Sequence, residues 1–137
     1  MDPITHALSG ALLARAAAQS RSERQELPLR LQILTGFAAA AFPDTDLILR
    51  LVDTLTYLNW HQGPTHSLIL LPLWAWLLAW LFSWLNRERF SWQLFYRPAC
   101  FGIAIHIAGD LITSYGLMLF APISTARFSL PLVFVID

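Results

Sequence analysis

Seven ionisable side chains in this 137-residue chain stand in or beside its apolar stretches and are candidates to ligate a metal or move a proton: His6, Asp44, Asp46, His61, His66, His106 and Asp110. They include every histidine in the sequence. All nine basic residues are arginine, and Cys100 is the only cysteine. Imidazole nitrogens and carboxylate oxygens without thiolates form the donor set of a zinc- or manganese-type centre. The surroundings make these residues conspicuous. Hydrophobic residues are 56% of the chain and charged residues 13%, where a soluble domain has about 25% charged. A charge in a bilayer costs several kcal/mol, roughly 3 to above 10, so each such residue needs a physical reason.

Spacing supports convergence. His106 and Asp110 are four residues apart and share a helix face. Asp44 and Asp46 flank Thr45 just past Pro43, where a helix must stop, so both carboxylates can turn inward. His61 and His66 bracket Gly63-Pro64, a turn that can fold two imidazoles toward one point. Each element also has a plainer reading. Asp44 could cap a helix starting at Leu47, His6 could sit at a helix end, and His106 with Asp110 could be a structural hydrogen-bonded pair. Thr5, Thr45 and Thr65 each precede a candidate ligand and could support it or merely start helices.

The elements that must position these residues are apolar helices. Ile4–Ala18 and Leu31–Phe42 read as a hairpin joined by the polar segment Gln19–Arg30. Leu47–Leu58, with Arg50 and Asp53 among leucines, reads as one amphipathic interfacial helix. Ser67–Leu85 has no charge over 19 residues, about 28 Å at 1.5 Å per residue, close to a hydrocarbon core. Ala99–Phe120 reads as a second full span, joined to the first by Asn86–Arg97. The expected fold is therefore all-α: a polytopic membrane bundle of four to five helices in two hairpins, one domain over residues 1–137. The apolar run at Leu132–Ile136 stops at Asp137, which reads as a bundle truncated at its C-terminus. In this arrangement His6, the Asp44/Asp46 pair and His66 fall on the side away from the two Arg-rich loops, with His106 and Asp110 set deeper.

Composition excludes a disordered tail and a conventional soluble surface, and nothing points to nucleic acid. Net charge is zero, so no global field steers a charged partner. No basic region precedes the first apolar stretch, as a cleavable signal would require. Arg15 and the segments Arg21–Arg30 and Asn86–Arg97 hold seven Arg against three Glu. By the positive-inside rule those loops are cytoplasmic and the site is periplasmic. Gly10, Ala14 and Ala17, and Gly102, Gly109 and Gly116, recur at helical spacing. Such stripes allow close packing within the bundle or a homo-oligomer through glycine-rich faces.

Four ordered motifs carry a resemblance: Asp2-Pro3-Ile4-Thr5-His6, Phe42-Pro43-Asp44-Thr45-Asp46, His61-Gln62-Gly63-Pro64-Thr65-His66-Ser67 and His106-Ile107-Ala108-Gly109-Asp110. With them the chain resembles the YdjM-like family of bacterial inner-membrane proteins, described as metal-dependent hydrolases, some of them under LexA (SOS) control. The resemblance implies that all seven residues are metal ligands, with Asp137 as a next acidic position. Gln62 stands where it implies a basic residue. The motifs are also distantly similar to zinc-dependent phospholipases C, which implies phosphoester hydrolysis and a lipid substrate.

Seven ligands exceed the need of one tetrahedral ion, so one to three divalent ions, zinc first and manganese or iron next, are expected. Asp46 or Asp110 is the expected general base for a water. No Ser-His-Asp order or Gly-rich phosphate loop is present. The competing reading is a cation or proton transporter component, because intramembrane His and Asp also mark transport paths.

Overall fold

The computed structural model describes residues 2–18 and 27–132, the side chain of Leu49 excepted. The segment with Arg21, Glu23, Arg24 and Glu26, and the final run to Asp137, lie outside the described residues. Those that are described form an all-helical fold: α1 (Pro3–Ala17), α2 (Leu29–Ala41), α3 (Leu49–Val52), α4 (Thr54–Trp60), α5 (Leu71–Leu85) and α6 (Trp92–Leu111). Two 3-10 turns, Pro43–Ile48 and Pro64–His66, join α2 to α3 and lead from α4 toward α5.

The two expected hairpins form. α1 packs along α2, α5 along α6, and α6 lies against both α1 and α2. Helix α1 begins where the Asp2 carboxylate accepts the Thr5 N–H at 2.9 Å and the Thr5 hydroxyl at 2.6 Å. Thr5 therefore serves the cap and does not reach a ligand. The three-helix contact uses glycine. A Cβ on Gly10 would land on the Gly36 carbonyl oxygen, and one on Gly102 would lie 2.6 Å from that same oxygen. The Gly10 and Gly102 faces are thus used inside the chain, letting backbones meet where side chains cannot fit.

Helix α5 is inverted relative to a soluble helix. Ala75, Ala79 and Ser83 face inward, while Leu73, Trp76, Leu77, Trp80 and Trp84 point outward and exposed. Small residues inside and large apolar residues outside suit a helix surrounded by lipid. Even so, no single helix among the described residues is long and apolar enough to cross a membrane. The pair Thr54–His66 and Leu71–Leu85 qualifies jointly, but is bent by 82°.

Three expected boundaries differ. The interfacial helix over Leu47–Leu58 is broken at Asp53, whose carboxylate accepts the Thr56 N–H at 2.9 Å and starts α4 afresh. The helix expected from Ser67 starts at Leu71, because the Ser67 hydroxyl turns back to the carbonyls of Ala121 and Leu119. The largest change concerns the span expected at Ala99–Phe120. The helix instead occupies Trp92–Leu111. The Arg97 guanidinium lies over the Phe101 ring, 5.4 Å from its centroid, so a segment that reads as a polar loop is helical surface. Gly116 falls beyond the helix at φ +79°, so Gly102, Gly109 and Gly116 do not line one helix.

Candidate metal centre

The shift of α6 decides the depth of the site. His106 and Asp110 lie in its last two turns, about 27 Å along the axis from Trp92 to Asp110 at 1.5 Å per residue. They stand at the end of the bundle opposite the Asn86–Ser91 turn, level with the other candidates and no deeper. His6 comes from the first turn of α1. Asp44 and Asp46 come from the 3-10 turn after α2, and His66 from the turn before α5.

Four of the seven candidates meet. One donor atom from each of Asp44, His66, His106 and Asp110 lies within 4.8 Å of every other. The Nε2 atoms of His106 and His66 are 3.0 Å apart. Asp110 Oδ2 is 3.3 Å from His106 Nε2 and 3.4 Å from His66 Nε2, and Asp44 Oδ1 is 3.6 Å from His106 Nε2. His66 and His106 are fully buried.

Hydrogen bonding sets the ring states. His106 Nδ1 lies 2.6 Å from the Ala40 carbonyl oxygen. A carbonyl only accepts, so Nδ1 carries the proton and Nε2 of the neutral ring presents a lone pair to the cluster. Two imidazole nitrogens and two carboxylates converging without a cation is an electron-rich arrangement. A proton on His66 Nε2 would relieve the contact between the rings. It would leave Asp44 Oδ2, a buried oxygen with no hydrogen-bond partner among the described residues. A cation satisfies both, so the donor set fits a metal ion.

The other three candidates surround the group. His6 Nε2 is 2.8 Å from Asp110 Oδ1, and its ring stacks on His106 at 3.8 Å. It orients Asp110 so that Oδ2 faces the histidines. Asp46 accepts the Gln62 backbone N–H at 3.0 Å, and His61 Nδ1 lies 3.2 Å from both its oxygens. It also stands 3.8 Å from His66 Nδ1, beside the Thr65 hydroxyl at 3.0 Å from that nitrogen. Thr65 thus holds a candidate ligand, while Thr45 bonds only the Phe42 carbonyl. Gln62 adopts φ +58°, a conformation that strains most residues, and this aims its N–H at Asp46.

The two carboxyls of the 3-10 turn shift oppositely. Burial raises both. At Asp44 it prevails over His106 and His6, and the pKa stays above the ordinary carboxylate value. At Asp46 the bonds from His61 and the Gln62 N–H outweigh it and hold the pKa low.

A cavity of about 520 Å³ opens onto Asp44 and Asp110 and is walled by Arg50, Tyr57, His61 and Gln62. Sequence reasoning missed the Ala40 carbonyl, the Gln62 N–H and the cavity position of Arg50. The first two are backbone groups without a residue-type signature. The third was visible only as an arginine among leucines.

Helices meeting through glycine, large apolar side chains turned outward and a buried His/Asp centre define a helical membrane protein with a candidate metal site. The chain belongs to the YdjM inner membrane protein family, whose model matches residues 1–137. No curated protein and no solved structure matches it. The likeness to zinc-dependent phospholipases C expected from the His and Asp motifs is not shown by these comparisons.

Proposed function

We propose that this protein is a multi-pass, membrane-bound metal-dependent hydrolase that cleaves a phosphoester or lipid substrate at the periplasmic face. The observation that carries the reading is the gathered donor group with its unpartnered Asp44 Oδ2, set at the wall of a substrate-sized cavity. His66, His106, Asp110 and Asp44 would hold the ion. Two imidazoles and two carboxylates suit zinc, and manganese or iron share the set. Bound there, a divalent ion supplies Lewis-acid activation of water and neutralises charge at a phosphoryl centre.

The chain's own groups have separable tasks. His106 is fixed by the Ala40 carbonyl, and His6 holds Asp110 from behind. Of the two carboxylates expected as general base, Asp110 is committed to three histidines and Asp46 to His61 and Gln62. Among the described residues Asp44 is the carboxylate with no hydrogen bond fixing it, and it would take a proton from water through the oxygen that the ion leaves free. Asp46 positions His61 and His66 instead. A cation or proton path would string its ionisable groups through the bilayer. Here they gather at one end of the bundle, which favours hydrolysis over transport.

The test is elemental analysis of purified wild type, His66→Ala and Asp110→Ala, with hydrolysis measured on a panel of phosphodiesters and phospholipids. Wild type should carry close to one divalent ion, and each variant should lose at least tenfold in metal occupancy and all activity. Wild-type protein without zinc, manganese or iron would sink the reading.

A further inference from the structure

We propose that Arg50 recognises the phosphate of a membrane phospholipid, whose headgroup enters the cavity beside the His/Asp centre from the lipid side. This rests on the reading of the centre as a phosphoester hydrolase and names the substrate class it would take.

The electrostatic problem comes first. The cavity exposes Asp44, Asp110 and Asp2, so an anionic phosphate meets carboxylates on entering. Arg50 is the one permanently charged cation on the wall, among the described residues. Among the described residues it makes no ion pair. The nearest acid in sequence, Asp53, is taken by the Thr56 N–H and hydroxyl at 2.9 and 3.0 Å. An unpaired guanidinium facing a cavity is a fork of donors suited to two phosphate oxygens. The neutral Gln62 on the same wall cannot supply that charge.

The apolar surround selects the source of the phosphate. Leu47 and Leu58 line the cavity. Next to them Ile48, Leu51, Val52 and Leu55 are all more than 60% exposed, on the turn and short helices around Arg50. An apolar rim around a cationic, cavity-facing arginine matches an amphiphile: phosphate inside, acyl chains along the leucines. A free phosphoester gains nothing from that rim. The family is an inner-membrane one, so lipid is the apolar phase these residues meet.

Full-length protein in a phosphate-free maltoside detergent is titrated with dihexanoyl phosphatidylglycerol, and separately with glycerophosphoglycerol, which has the same phosphodiester and no chains. Wild type should bind the lipid at least tenfold more tightly than the chain-free diester. Arg50→Gln should weaken lipid binding about tenfold or more, as loss of a charge-assisted hydrogen bond implies, with metal content unchanged. Arg50→Lys should recover part of the loss. Leu47→Ser with Leu58→Ser should weaken the lipid and leave the diester unaffected. Lipid binding within twofold of wild type in Arg50→Gln would overturn the proposal. So would equal affinity for lipid and diester, which would mark a soluble phosphoester as the ligand. Phosphorus NMR of the same samples reads turnover separately. Arg50-dependent lipid binding without cleavage would defeat the hydrolase reading and leave the recognition standing.

Discussion

Asp46 shows how a residue beside the centre can matter without ligating. Its carboxylate satisfies the buried Gln62 N–H, which sits in a strained turn, and steadies the His61 ring. Asp46→Ala leaves both donors unanswered and should cost about 2–3 kcal/mol. Asp46→Asn keeps an acceptor for the N–H and should cost about 1 kcal/mol. The pH dependence has a definite sign. The folded pKa of Asp46 lies below its ordinary 3.8. Its ionic contribution is therefore present above pH 3.8 and is lost as pH falls through the folded value. Thermal unfolding of wild type and Asp46→Asn should show a constant gap between about pH 8 and 5 that closes only in stronger acid. A gap that closes near neutrality would show that another group is responsible. At this scale residue types were legible: His and Asp stranded in apolar sequence announce a site. Their division into four that converge and three that support was not legible, because it depends on the Ala40 carbonyl and the Gln62 N–H.

Between elements, glycine controls how near the ligands come. The Gly36 carbonyl lies where Cβ atoms on Gly10 and Gly102 would have to be, which binds α1, α2 and α6 into one unit. His6 is one turn before Gly10, Ala40 one turn after Gly36, and His106 one turn after Gly102. A substitution that parts the helices should therefore reach the centre. In Gly36→Ala the new Cβ would lie 2.6 Å from both the Gly10 oxygen and the Ala14 Cβ. The expected cost is roughly 2–3 kcal/mol, read by tryptophan fluorescence during thermal unfolding, with metal occupancy lowered alongside. Ala108→Leu, on the exposed side of α6, should stay within about 0.5 kcal/mol of wild type and keep its metal. Equal behaviour of the two variants would contradict this coupling. The small-residue spacing was visible in sequence. The start of α6 was hidden, since Trp92 to Arg97 reads as an interfacial loop until Arg97 is seen lying on Phe101. That error in the helix start alone misplaced His106 and Asp110 in depth.

For the whole molecule, composition named the solvent correctly but not the way the chain meets it. Apolar runs that read as full spans are shorter helices and a pair bent by 82°, because Ser67 and Asp53 use their side chains to end or restart helices. What survives is polarity of placement. The Asn86–Ser91 turn, with Arg87 and Arg89, stands at one end of the α5–α6 hairpin, and the His/Asp centre stands at the other. A cation-bearing loop is retained on the cytoplasmic side of an inner membrane, so the centre should face the periplasm. In a Cys100→Ala background, the thiol of Arg89→Cys should resist a membrane-impermeant maleimide in spheroplasts and react after lysis. The thiol of Ile123→Cys, at a position 81% exposed in the segment after α6, should react without lysis. The reverse pattern would put the centre in the cytoplasm. A phospholipid reaching Arg50 would then have to come from the inner leaflet.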